Sequence, residues 1–224
     1  MKKLLTMIAG YIGMLMLLDI ANPATAATVN PYAGMNLQLI QVNIKRLKAT
    51  KECEKCDLRK AALNGTDLEA ANLKGANLKG AQLIRANLKD AKLMGAYLGQ
   101  ADFSSANLEG ADLSNASLAL EYVEYRGLDY RIIGAIFARA NLSRANLTNT
   151  SFVGSYFPQA NLSYAILINA DIQGVYIRGA NLTGANLTGA EVNLGSGEGG
   201  VGVNVTDIIC PNGKLINQKD QICH

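Results

Sequence analysis

The side chains best suited to chemistry are four cysteines: Cys53, Cys56, Cys210 and Cys223. The first two stand in C-x-x-C spacing, which serves redox catalysis where a βαβ unit or a helix N-terminus lowers a thiol pKa. Neither context is visible around this pair, so a structural role is the expectation. Four cysteines permit three pairings. The favoured set is Cys53–Cys56 with Cys210–Cys223, and a buried free thiol at Cys56 is the alternative. The only histidine is His224, the last residue. That argues against a Ser/His/Asp or Cys/His apparatus and against a His-built metal site, which need an imidazole held inside a fold. No nucleophile–base pair, phosphate loop or metal-ligand cluster stands out. The expectation is therefore no catalytic, cofactor-binding or metal-binding residue, and no enzyme.

Composition agrees. Of 224 residues, 17% are charged, and 21 Lys+Arg against 18 Asp+Glu leave a net charge of +3. So balanced a chain does not advertise nucleic acid as a partner. The N-terminus carries Lys2 and Lys3, an apolar run from Leu4 to Leu18, and a small-residue exit with Ala24 and Ala26 before Ala27. That layout predicts a secretory signal peptide over residues 1–26, with an uncleaved N-terminal anchor as the rival. The run is short of the ~20 apolar residues that a membrane span needs. The cleaved product is expected to have no stable membrane insertion and to lie where disulfides persist.

Something must position the cysteines and the surface, and here the chain is periodic. From Cys56 to Tyr125 it falls into fives such as ANLKG, AQLIR and ADLSN, the last of them EYVEY around Val123. The centre is Leu except at Phe103 and Val123, and two places earlier stands Ala in eleven of the fourteen units. A second run, residues 135–194, adds twelve units with centres such as Phe137, Leu142, Phe157 and Ile177. A period of five fits neither a helix nor a strand. It suits a four-sided coil of twenty residues, with the central apolar residue and the small residue turned inward. Successive coils then stack at about 4.8 Å.

The tandem A-[N/D]-L-x-x pattern resembles the pentapeptide repeat family. The resemblance implies an all-β fold, a right-handed quadrilateral β-helix, over about two thirds of the exported chain. The lead-in LKATKECEKCDL is similar to that of exported cyanobacterial members of the family, in which a helix and a C-x-x-C precede the first unit. The resemblance thus points to a cyanobacterial origin, with the periplasm or the thylakoid lumen as compartment. Some members resemble a DNA duplex and bind type II topoisomerases, which needs a strongly acidic rod. Residues 56–194 hold 12 acidic and 12 basic side chains, so DNA mimicry is the least favoured reading. A lumenal redox or stress-linked protein acting through Cys53 and Cys56 is the other alternative.

The remaining segments frame the rod. Residues 27–55 carry apolar Leu37, Ile40, Ile44 and Leu47 at helical spacing, which predicts an N-terminal capping α-helix over the first coil. Residues 126–134 are one short of two units and put the runs out of phase, so the coil is expected to loosen around Glu121 to Gly134. After residue 194 a glycine stretch leads to a strand, a turn at Pro211-Asn212-Gly213 and a return strand, bracketed by Cys210 and Cys223. Residues twenty apart should share a column. Glu69, Lys89 and Glu109 make one of alternating sign. Ile136, Tyr156 and Tyr176 make an apolar stripe, the candidate strip for docking an unknown protein partner. Ile166 and Ile168 widen apolar exposure on another side.

Overall fold

A computed structural model describes residues 33–118, 134–191 and 207–216. The chain divides into two units, Met1–Gln38 and Leu39–His224. Of the first, only the start of helix α1, Ala33–Thr50, is described. From Leu39 onward the helix turns one edge inward. Ile40, Ile44 and Leu47 are buried in the same apolar cluster as Cys53 and Leu58, as their three- and four-residue spacing predicts. Leu37, expected on that edge, is exposed. Lys51 ends the helix in the left-handed region, its N–H donating to Leu47 O at 2.9 Å.

The repeats form four columns of isolated parallel bridges. Their outward members run Glu52–Asn72–Lys92–Asp112, Asp57–Asn77–Tyr97–Ser117, Ala62–Gln82–Asp102 and Asp67–Asn87–Asn107, each step twenty residues. Each column is one face. The predicted twenty-residue coil is thus present in the register. Every central residue from Leu58 to Leu118 is fully buried, and the alanines two places earlier are buried beside them. At each corner the chain turns back through a hydrogen bond three residues long, such as Ala61 N to Leu58 O at 3.0 Å. The third residue of each such turn has positive φ, as at Lys60, Gly65, Arg85 and Gly110. A positive φ there marks a type II turn, which is why glycine recurs at this position.

The repeat's asparagines tie coil to coil. On the fourth face Asn181, Asn161, Asn141, Asn107 and Asn87 each donate Nδ2 to the residue one coil below, at 3.0–3.3 Å, and the chain ends on Asp67 Oδ1. Each Oδ1 also accepts the backbone N–H two residues on, for example from Glu109 to Asn107 at 3.2 Å. An amide can donate downward and accept from above. A carboxylate can only end such a chain, and Asp67, Asp112 and Glu52 each do so beneath an asparagine.

Across the interruption the register changes from twenty to thirty-four residues. Asp102 pairs with Ile136, Asn107 with Asn141, Asp112 with Asn146 and Ser117 with Ser151. The place one coil above Phe103 therefore belongs to Phe137, whose ring stacks on Phe103 at 4.8 Å. Val123, expected to hold that place as the centre of a fourteenth unit, lies outside the described residues, as does nearly all of 126–134. The bridge register thus lengthens by fourteen residues, and Phe137 continues the apolar axis above Phe103. The chain rejoins at buried Gly134, whose N–H donates to Gly154 O at 3.1 Å. A Cβ there would meet Gly154 O and Ser155 N at 2.7 Å, so the close approach requires glycine.

The second run continues the four columns to Asn186, Glu191, Tyr176 and Asn181. Strand β1, Ile208–Ile209, then adds one rung above Asn186 and pairs antiparallel with β2, Leu215–Ile216. The turn between them holds Pro211, Asn212 and Gly213, as the sequence predicts.

Candidate functional site

The third face carries the stripe. Its outward residues are Ala62, Gln82 and Asp102 in the first run and Ile136, Tyr156 and Tyr176 in the second. Strand alternation sets the arrangement. Phe137, Phe157 and Ile177 point to the axis, so their neighbours Ile136, Tyr156 and Tyr176 point out. The backbone holds the spacing, with Phe137 N to Tyr156 O and Phe157 N to Tyr176 O both at 2.7 Å. The Tyr156 and Tyr176 rings stack with centroids 4.7 Å apart and planes 15° from parallel. Tyr156 remains 43% exposed. The structure thus brings the three predicted stripe residues into one column. On the first face Ile166 is exposed and Ile168 half-buried, and Tyr164 at the adjoining corner is exposed too. Tyr164 occupies a corner position, where polar residues and glycine prevail, so the repeat pattern does not mark it.

The charged column is only partly realised. Lys89 Nζ lies 3.9 Å from Glu109 Oε1, while Glu69 Oε2 accepts from Asn87 Nδ2 at 3.2 Å. Closer pairs stand at the base of the first run. Arg59 holds Asp57 at 2.6 Å, and Lys51 holds Asp67 at 2.9 Å. The hydrogen bond from Arg59 holds the Asp57 carboxyl below the usual carboxylate range, and the bond from Lys51 does the same for Asp67.

The cysteines sit at the ends of the axis. Cys53 occupies the first central seat of the first face, its N–H bonded to Asn72 O at 2.8 Å, and Cys56 fills the small seat before Leu58. The two form a disulfide with Cα atoms 5.2 Å apart. Cys53 is fully buried and Cys56 nearly so. Cys210 follows Ile209, which bridges Asn186, and so lies buried above Leu187 in the same column that Cys53 begins. It is disulfide-bonded, and Cys223 falls outside the described residues. Among the described residues no group of three or more His, Cys, Asp or Glu side chains is placed to hold a metal ion. A buried disulfide presents no thiolate for exchange.

A family model for pentapeptide repeats matches the chain with eight copies, over residues 52–90, 81–119, 132–163, 140–179 and 165–193. These cover more than half of its length. The chain belongs to the pentapeptide repeat family. Its members fold as right-handed quadrilateral β-helices, and the four bridge columns of this pentapeptide repeat protein match a four-sided coil. Among solved structures it is similar to a pentapeptide repeat protein from the Arabidopsis thaliana thylakoid lumen, at 25% identity and a TM-score of 0.40. That match covers 48% of this chain and 65% of the plant protein, so the chain spans less than two thirds of that relative. HetL, a pentapeptide repeat protein involved in heterocyst differentiation regulation from the cyanobacterium Nostoc, is 27% identical over 73% of this chain and 76% of its own, with a TM-score of 0.35. QnrB1, a plasmid-mediated fluoroquinolone resistance protein, is 21% identical over 70% and 69%, with a TM-score of 0.31. No curated protein matches the chain. Among the described residues no helix is long and apolar enough to cross a membrane.

Proposed function

We propose that this chain is an exported, non-enzymatic scaffold that docks a protein partner on the tyrosine stripe of its second repeat run. One observation carries the reading. The same column changes from Ala62, Gln82 and Asp102 to Ile136, Tyr156 and Tyr176 where the register jumps, while the twenty-residue coil continues beneath it. Stacked tyrosines give contact area at little entropic cost, which favours recognition.

In this reading residues 1–26 are the signal peptide and residues 27–55 supply the capping helix and lead-in. Residues 56–125 and 135–194 are the two runs of a right-handed quadrilateral β-helix, interrupted at 126–134. Residues 195–224 close the far end. The disulfides Cys53–Cys56 and Cys210–Cys223 are structural, and the burial of Cys53, Cys56 and Cys210 supports that role over redox exchange. The compartment is the periplasm or the thylakoid lumen.

Affinity capture from that compartment tests the proposal. Replacing Tyr156 and Tyr176 with Ser should abolish capture while leaving the far-UV spectrum unchanged. Capture that survives the double replacement would refute the stripe as the docking surface, and finding the protein in the cytoplasm with residues 1–26 retained would refute export.

A further inference from the structure

The charges of the second run are sorted by face. Residues 135–144, 155–164 and 175–184 make up the stripe's face and the neighbouring asparagine face. They contain Arg139, Arg144 and Arg178 and no carboxylate. The other two faces of this run, residues 145–154, 165–174 and 185–191, contain Asp171 and Glu191 and no cation. In the first run the sign is reversed. There the stripe and asparagine faces carry Asp67, Glu69, Asp90, Asp102 and Glu109 against Arg85 and Lys89. Among the described residues, these two faces of the second run thus carry cations and no carboxylate beside the exposed Tyr156.

All three arginines are exposed. Arg139 stands at the corner next to the stripe. Its Nε donates to Gln159 Oε1 at 2.9 Å, which fixes the guanidinium plane. Among the described residues its two terminal nitrogens have no partner, so they remain available for the bidentate grip that suits a carboxylate. Arg139 at the corner beside Tyr156 and Tyr176, with Arg144 at the far corner of the neighbouring face, joins the residue types enriched in binding hot spots. We propose that the stripe docks an acidic protein segment, one whose apolar side chain rests on Tyr156 and Tyr176 while flanking carboxylates meet Arg139 and Arg144. This rests on the docking role of the stripe. Three arginines are few for the multiple phosphate contacts that dominate nucleic-acid binding.

Selection of phage-displayed random dodecapeptides on the intact purified protein tests this. The selected peptides should combine Asp or Glu with an aromatic or aliphatic residue. A synthetic peptide of the consensus should bind about tenfold or more weakly to the Arg139→Glu/Arg144→Glu variant, and more weakly as salt rises. The Arg139→Lys/Arg144→Lys variant should bind at an intermediate level, and melting curves should show all variants folded. Neutral or basic peptides, or binding unchanged by the Glu variant, would overturn the acidic partner. If Tyr156→Ser/Tyr176→Ser still abolished binding in that case, the stripe would stand as a docking surface. Indifference to the tyrosine pair would overturn both. Tighter binding of a 20-base-pair duplex than of the peptide, or a tyrosine-dependent dimer in sedimentation, would also overturn the acidic segment as occupant.

Discussion

The two repeat runs obey one rule and differ in how tightly they obey it. In the first, every axis seat from Leu58 to Leu118 is fully buried, all by leucine except Phe103. In the second, the axis holds Phe137, Phe152, Phe157, Ile172 and Ile177 among the leucines, and Leu162, Ile172, Ile177 and Leu182 keep 4–7% exposure. An apolar cavity of about 20 Å³ lies there, lined by Phe152, Phe157, Ile172, Val175 and their neighbours. The small seats differ too. The first run uses alanine almost throughout, whereas the second admits Thr150, Ser155 and Val175. Outside, the first run is laced with charge and the second with tyrosine. Regularity is thus concentrated where the coil carries no exposed aromatic column, and packing loosens where the surface becomes distinctive.

Substitutions in each run put this contrast to the test. The largest effect is expected from Leu88→Asp, which places a carboxylate on the tight axis and should cost about 4 kcal/mol or more. Loss of the cooperative melting transition would register it. Leucine truncation should then separate the runs. Leu78→Ala is expected to cost about 3–5 kcal/mol, and Leu182→Ala, beside the cavity and not fully buried, about 2–3 kcal/mol. Equal costs by urea unfolding would erase the difference drawn here. Next comes the amide ladder. Asn107→Ala removes one donated and two accepted bonds and should destabilise by about 1–2 kcal/mol. Ser155→Ala should act in the opposite sense, since the Ser155 hydroxyl is buried with no hydrogen-bond partner. A gain of about 1 kcal/mol is expected, read as a higher melting temperature.

The smallest effect is on acid stability. Arg59 and Lys51 hold the carboxyls of Asp57 and Asp67 below their ordinary values. A carboxyl with a depressed folded pKa contributes stability above its unfolded value, near pH 4, and loses it as pH falls through the folded value. Both pairs stand at the base of the first run. Protection of the amides of residues 51–67, taken relative to their intrinsic exchange rates, should therefore fall on acidification below pH 4 before that of the second run does. A uniform loss of protection would show that these pairs are not the acid-sensitive ties.

How far the sequence reveals this molecule depends on what each signal encodes. The inward residues are legible because burial of one side chain in five leaves an apolar period nothing else mimics. The closing hairpin is legible through Pro211, Asn212 and Gly213, which dictate a turn. The thirty-four-residue register is not, because EYVEY keeps an apolar centre in phase. The phase change across residues 126–134 and the cost of burying Glu121 mark a disturbed coil there but not its register. The asparagines read as solvent-facing, since sequence gives their polarity but not that stacking lets each amide donate downward and accept from above. The stripe is legible as a column once the period is known. The sorting of arginines around it emerges only when residues are assigned to faces.

The central claim is that one apolar axis runs through both runs, with the chain rejoining the ladder thirty-four residues on. A nuclear Overhauser measurement between the Leu108 amide proton and the α proton of its coil neighbour tests this directly. The Leu108 N–H donates to Asn141 O at 2.6 Å, so the contact should appear to Asn141. A contact to residue 127 instead, which a twenty-residue register would pair with Asn107, would contradict the account.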